Sequence, residues 1–217
     1  MNVMLNALVI SATVLGSGMA LPQARQLART RRTDGVSPTW VGVSMALNGW
    51  WLAYGFAAPV WALVPVSMIS IGLYASMAVL FIRAGGRTGR RGLLIGAVGL
   101  GMLPLPFLVI GGWELAGLAV GLCYGLQLLP AVVAVLRTRA LAGVSAATWL
   151  IAWTESMLWL VYGLGVTDPA LIVAGTVGVV MSTVIVVRLA VTGHRPLDAF
   201  TRATSPARWR KAQASLS

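Results

Sequence analysis

Acidic residues are scarce in this sequence of 217 residues. Five Asp and Glu stand against 16 Lys and Arg, and charged residues make up only 10% of the chain, where a globular domain has about a quarter. The net charge is +11, but the arginines occupy short stretches between long apolar blocks. That distribution argues against a nucleic-acid-binding surface, so we expect no nucleic-acid partner.

Cysteine and histidine are nearly missing as well. One cysteine, Cys123, lies in an apolar segment, and one histidine, His194, lies in the polar C-terminal stretch. Disulfide frameworks and metal sites need several such residues, so we expect no metal and no cofactor. No nucleophile has a base nearby, and no glycine-rich loop precedes a soluble helix, so we expect no catalytic residue and no enzyme activity.

Long apolar blocks make up most of the chain, which is 58% hydrophobic with a mean hydropathy of +0.86. Each block has about 20 residues, enough for a helix to cross roughly 30 Å of hydrocarbon. We predict an all-α membrane protein with seven transmembrane helices.

Ser37-Pro38 is expected to begin the second, and Pro104 and Pro106 to bend the fourth. No basic residue precedes the first block, so we expect a retained helix. The predicted spans are about 3–24, 37–57, 60–82, 92–110, 114–136, 145–164 and 168–191.

Basic residues follow alternate spans. Four arginines follow span one, four follow span three, two follow span five, and the remaining basic residues lie at or beyond the end of span seven. The other connections hold only the acids Glu114 and Asp168. The positive-inside rule then places the N-terminus outside and the C-terminus in the cytoplasm. The lipid bilayer is the first predicted partner, and the composition favours the cell (plasma or inner) membrane.

The sequence contains an internal duplication. Residues 21–55 recur 108 positions later as residues 129–163, with no gap and twelve identities. The matches include proline, Arg-Thr-Arg, Gly-Val-Ser and Trp-x-x-Tyr-Gly, which apolar composition alone does not produce. A fixed-period repeat of this kind indicates a duplicated structural unit.

Two three-span units joined directly would face opposite ways across the membrane. One extra span restores the same orientation and predicts parallel repeats in a 3+1+3 arrangement, related by an axis along the membrane normal. We therefore expect a first three-helix repeat at 1–83, a basic loop and linker helix at 84–112, a second repeat at 113–191, and a basic cytoplasmic tail at 192–217.

The duplicated residues resemble the PQ-loop repeat of the SWEET-like (MtN3) transporter superfamily. Pro22-Gln23 is followed by Arg-Thr-Arg, by Asp34-Gly35-Val36-Ser37 and by Trp51-x-x-Tyr54-Gly55. The second copy departs from this pattern because Ala131 follows Pro130, although Gln127 lies one turn earlier. The resemblance covers residues from about 3 to 191.

This resemblance implies a transporter of small polar solutes that works by alternating access between two three-helix bundles. It implies hinge or gate roles for Pro22, Gln23, Gln127 and Pro130. Sugar-transporting members typically carry a proline in the second helix of each bundle and an asparagine in the third. Here Trp40 and Thr148 stand where the two prolines are expected, and spans three and seven contain no asparagine. The polar groups that remain in spans three and seven are Ser67, Ser70, Thr176, Ser182 and Thr183, of which Ser70 and Thr176 are taken as candidates for the substrate pathway.

Glu155 is the clearest candidate for chemistry. It lies midway along span six, where an ionised carboxylate costs at least ~2.5 kcal/mol. It would bind a cationic solute or exchange a proton, or else serve as a protonated packing group. The equivalent position in the first repeat is Leu47, so any charge chemistry uses one half only.

Five further side chains complete the predicted substrate pathway. Asn48 lies mid-membrane and is expected to contact substrate or to form an interhelical hydrogen bond. Trp51, Tyr54, Trp159 and Tyr162 lie toward the outer ends of spans two and six. They would form an interfacial aromatic belt, or an outer gate that stacks on a solute.

Three functions follow from this reading. The first is a facilitator of neutral polar solutes such as sugars, and the second is a proton-coupled carrier of amino-acid-like or cationic solutes. The third is a non-transporting receptor or assembly factor on the same scaffold. The expected partners are a small-molecule substrate and, for the second function, protons. The sequence also leaves room for an oligomer.

Overall fold

The structure is a computed structural model that describes residues 3–30, 37–84, 86–137 and 146–192. Side chains are described for residues 3–18, 37–83, 87–137 and 146–192. The predicted Asp34-Gly35-Val36 motif, Arg139 and the basic tail from 193 onward lie outside these ranges. The described residues form seven α-helices and one π-helical segment, with no strand among them.

The helices follow the apolar blocks closely. Their bounds are α1 Val3–Thr30, α2 Pro38–Ala57, α3 Leu63–Ala84, α4 Gly86–Leu94, the π-helical segment Ile95–Leu100, α5 Leu105–Arg137, α6 Ala146–Val166 and α7 Pro169–Val191.

Two helices begin at side-chain caps followed by proline. Ser37 accepts a hydrogen bond from the backbone nitrogen of Trp40 at 3.3 Å, with Pro38 in the first helical position, as predicted. Asp168 caps α7 in the same way, accepting from the backbone nitrogen of Leu171 at 3.0 Å ahead of Pro169. Such caps satisfy amides that would otherwise lack a partner at the start of a helix.

The predicted fourth span is divided in the structure. The α4 helix passes into the π-helical segment, a turn follows at 101–104 with Pro104 buried, and α5 begins at Leu105. The α5 helix is itself interrupted at Gly111 and Gly112, where Gly112 has a φ of 64°. Left-handed backbone of this kind favours glycine. The expectation of a single linker helix over 92–110 is therefore wrong in detail, although the predicted local unwinding is present.

Within the part of the chain that the structure describes, four helices are long and apolar enough to span a membrane, namely α3, α5, α6 and α7. The described side chains of α1 form a shorter apolar helix, Val3–Gly18. The α2 helix has 20 residues, but its asparagine, tryptophans and tyrosine make it less hydropathic than these four.

The third helix of each predicted repeat lies between the other two. The α3 helix contacts both α1 and α2, and α7 contacts both α5 and α6. Between these two groups of helices, α1 packs against α6 and α2 packs against α5. We call the first contact the α1/α6 seam and the second the α2/α5 seam. The linker, made of α4 and the π-helical segment, packs on α2.

Glycines bring several of these backbones close together. A Cβ atom at Gly96 in the linker would overlap the Thr39 carbonyl of α2, and one at Gly42 of α2 would overlap the Leu93 carbonyl. On α7, a Cβ at Gly175 would lie 2.6 Å from the Leu160 backbone. Small residues at such contacts allow the close packing on which helix association in membranes depends.

Candidate functional site

A single apolar cluster joins the two groups of helices at the end that holds the acidic residues. It contains the buried Tyr54 and Tyr162 together with residues from α1, α3 and α7. Trp51 and Trp159 pack against it, as do Leu5, Val9 and Trp113. We call it the acidic-end cluster, because Asp168 lies within this end and Glu114 near it. The helices are closely packed to one another here.

One hydrogen bond crosses the acidic-end cluster. The Tyr54 hydroxyl of α2 donates to Asp168 Oδ2 at 2.9 Å, and both side chains are buried. The other carboxylate oxygen caps α7, so one side chain both starts a helix and holds the opposite group of helices. The position equivalent to Asp168 in the first repeat is Val60, so Tyr162 has no equivalent carboxylate there.

The two predicted aromatic pairs adopt the same geometry. Trp51 and Tyr54 lie edge to face with ring centroids 5.9 Å apart at 83°, and Trp159 and Tyr162 lie 6.0 Å apart at 88°. Both tyrosines are buried and both tryptophans are partly buried. The structure thus places all four in the core of the acidic end, away from the exposed outer surface where a lipid-facing belt would lie.

Glu155 lies in the α1/α6 seam, opposite Gly16. A Cβ atom at Gly16 would overlap the Glu155 carboxyl group, so the carboxyl would have to shift if this residue carried a side chain. Leu47, its repeat equivalent, lies in the α2/α5 seam and is buried against Val120 and Cys123. At this repeat position the two seams are therefore chemically different, because one has a carboxyl group where the other has a buried apolar side chain.

Aromatic and hydroxyl groups surround Glu155. Described groups near the carboxyl include Trp159, one turn further along α6, and the hydroxyls of Tyr74 on α3 and Tyr124 on α5. The side chains of Tyr124 and Ser156 both lie against Gly178 of α7. Glu155, Trp159 and both tyrosines retain some accessible surface. We call this group the Glu155 cluster.

Gln127 and Asn48 extend the polar region along the α2/α5 seam. Gln127 Nε2 donates to Ser44 Oγ at 2.5 Å, a contact between the two groups of helices, and Ser44 is also within hydrogen-bonding reach of Tyr74. Asn48 Nδ2 donates to the Ser44 carbonyl of its own helix at 2.8 Å. This bond lies within α2 and is not the interhelical hydrogen bond that was one of the two expectations for Asn48.

The remaining predicted residues lie elsewhere. Ser70 is partly buried on α3, Thr176 is exposed on α7, and Pro130 is exposed on α5, whose dihedral angles depart from helical values only at the two glycines near 111. Positions 22 and 23 fall within α1, but the side chains of Pro22 and Gln23 lie outside the described ones.

The arginine-bearing end is built differently from the acidic end. In the described residues, one apolar cluster there comes from α2, α3 and α4 around Met77 and Phe81, and another comes from α5 and α7 around Ile185 and Leu189. Each of these clusters lies within one of the two groups of helices and does not connect them. The described apolar clusters thus join the two sides at the acidic end and in the middle.

Sequence reasoning missed several residues of this site. Asp168 was identified only as an acid between two spans, and Gly16, Tyr74 and Tyr124 were not among the predicted site residues. The repeat offset pairs Gly16 with Tyr124 and Leu47 with Glu155. Those pairings show that the α1/α6 seam and the α2/α5 seam differ in their side chains. They could be recognised only once it is known that α1 packs on α6 and α2 on α5.

Comparison with known proteins supports the resemblance drawn from the repeat. A family model described as "Sugar efflux transporter for intercellular exchange" matches residues 118–191, which extend from α5 to the end of α7. The predicted SWEET-like character is thus confirmed over this segment. The comparison with curated proteins found no match to the chain. The four apolar helices among the described residues indicate a multi-pass membrane protein, and the similarity of residues 118–191 is to a family of transporters.

Proposed function

We propose that the protein moves a small polar solute across a membrane by alternating access, with a sugar facilitator as the first candidate. The single observation that carries the proposal is the similarity of residues 118–191 to a sugar efflux family. The polar side chains between the two groups of helices, including Gln127, Ser44 and the Glu155 cluster, would line the route of the solute.

The proposed architecture is two parallel three-helix repeats joined by a linker. Exchanging the repeats turns the α1/α6 contact into the α5/α2 contact, and both occur in the structure. The same exchange maps the Trp51–Tyr54 pair onto Trp159–Tyr162, whose geometries match. These correspondences support parallel repeats related by an axis along the membrane normal.

In this proposal the structure represents a state closed at the acidic end. The Tyr54–Asp168 hydrogen bond and the acidic-end cluster would form the outer gate. Arginines bias a membrane protein toward cytoplasmic placement of the loops that carry them, so the arginine-bearing end would face the cytoplasm. The N-terminus would then lie outside and the C-terminus inside, with the cell membrane as the proposed location.

A second candidate is a proton-coupled carrier of amino-acid-like or cationic solutes. The observation that favours it is Glu155, a carboxyl group deep in the α1/α6 seam whose described neighbours include no arginine. Buried ionisable residues of this kind commonly mark proton or cation routes.

The test is uptake of labelled sugars and amino acids into proteoliposomes, with and without an inward proton gradient. Saturable uptake that ignores the gradient supports the facilitator. Gradient-driven uptake that Glu155→Gln abolishes supports the coupled carrier. Saturable binding with no flux of any solute would instead support a receptor or assembly factor on the same scaffold.

A further inference from the structure

Among the side chains that the structure describes, polar groups surround the Glu155 carboxyl and none of them is positively charged. The described arginines occur at or near helix ends, as in Arg83, Arg137 and Arg188, and none is among the groups that act on this carboxyl. An ionised carboxylate away from water is strongly destabilised without a cationic partner. The charge at this position can therefore be balanced by a cation that arrives with the solute.

The groups next to the carboxyl are suited to an organic cation. Trp159 lies one turn after Glu155 on α6 and near its carboxyl, so an ammonium group paired with Glu155 would approach the indole. Tyr124 and Tyr74 approach from α5 and α3. Aromatic rings attract ammonium groups through their electron-rich faces, most strongly where water is excluded.

Neutral hydrogen-bonding groups lie nearby. Ser156 follows Glu155 on α6, and Gln127 and Ser44 bond to each other between α5 and α2. Hydroxyl and amide groups are typical partners of a polyhydroxylated solute. The repeat position Leu47 is buried at 3% exposure among apolar side chains, so a cation would have a carboxylate partner in the α1/α6 seam only.

We infer that the transported solute carries a protonated amine beside its hydroxyl groups, and that Glu155 in the α1/α6 seam binds this ammonium with Trp159 and Tyr124 around it. The inference rests on the proposed transport function and narrows its substrate class from neutral sugars to amine-bearing polar solutes, of which amino sugars are one type. Gly16 acts as a positioning residue, because it leaves the space in which the carboxyl lies.

The test compares three probes of similar shape: glucosamine, glucose and N-acetylglucosamine. Acetylation keeps the nitrogen and removes its charge. Dissociation constants are measured by calorimetry on the full chain in lipid nanodiscs, and flux is measured separately in proteoliposomes. The variants are Glu155→Gln and, as a matched control, Glu114→Gln, which removes an exposed carboxylate outside the cluster.

We expect glucosamine to bind at least about tenfold more tightly than either neutral probe, since a charge-assisted hydrogen bond contributes enough free energy for a factor of that size. Glu155→Gln should remove the preference and Glu114→Gln should retain it. Equal affinity for all three probes in the wild-type protein, or a preference that survives in Glu155→Gln, would overturn the inference. Failure of glucosamine to bind would do the same.

The two levels of the proposal can be separated. A glucosamine preference in binding without flux of any probe supports the amine site and contradicts transport. Flux of glucose and glucosamine at equal rates supports transport and contradicts the amine site. If Glu155→Gln does not fold, as judged by its melting curve and gel filtration, the three-probe comparison in the wild-type protein still decides the inference.

Discussion

The Tyr54 hydroxyl donates to Asp168 Oδ2 across the two groups of helices, while Asp168 Oδ1 caps α7. Sequence separates the two residues by 114 positions. One carboxylate therefore couples the start of a helix to the closure of the acidic end, and its two oxygens can be tested one at a time.

Tyr54→Phe removes only the hydroxyl. A buried hydrogen bond to a charged group contributes about 1.5–3 kcal/mol, so we expect a lower melting temperature and easier opening of the acidic end. The opening can be measured as distance changes between spin labels on α2 and α7. Tyr162→Phe is the matched control, because the repeat equivalent of Asp168 is Val60. If both variants lose the same stability, the hydrogen bond between Tyr54 and Asp168 does not hold the acidic end closed.

Asp168→Asn and Asp168→Ala separate the contribution of the Tyr54–Asp168 hydrogen bond from that of the helix cap. Asparagine keeps one oxygen, which can cap α7, but its amide nitrogen takes the place of the oxygen that accepts from Tyr54, whereas alanine loses both contacts. Because the loss of a cap costs about 0.5–2 kcal/mol, we expect the alanine variant to be clearly less stable than the asparagine variant in denaturant unfolding. Equal stability of the two would show that the cap contributes little to stability.

Gly16→Ala places a methyl group where the Glu155 carboxyl lies. The carboxyl must move or α1 must separate from α6, so we expect transport to fall by about tenfold or more, as small misplacements of functional groups can cause. Gly18→Ala is the control, since nothing lies within 4 Å of a Cβ there. Comparable transport rates in the two variants would argue against a functional carboxyl in this seam.

Gly96→Ala tests the packing of the linker on α2. The added Cβ would overlap the Thr39 carbonyl, and overpacking of this kind costs about 1–3 kcal/mol. Gly99→Ala in the same π-helical segment has open space around its Cβ and should be nearly neutral. Thermal unfolding followed by tryptophan fluorescence distinguishes them. Two indistinguishable curves would mean that the linker does not pack tightly on α2.

Much of the fold could be predicted because membrane helices satisfy their own backbone hydrogen bonds and depend on local composition. The bounds of α2, α6 and α7 lie within a few residues of the predicted spans, and the Ser37 cap was predicted from Ser-Pro alone. The division of the fourth span was harder to predict. Its π-helical segment and glycine contacts depend on the surface of α2, which lies far away in sequence.

The sequence by itself determined the membrane class, the duplication, the positions of most helices and the place of Glu155 as a carboxyl group within an apolar span. Composition and periodicity are local properties of the chain, so they can be read without the tertiary structure. Only the tertiary structure decided that Glu155 lies opposite Gly16, that Leu47 closes the other seam, and that Tyr54 meets Asp168. Those contacts join residues more than 70 positions apart. They follow from the packing of α1 on α6 and α2 on α5, which no local pattern encodes.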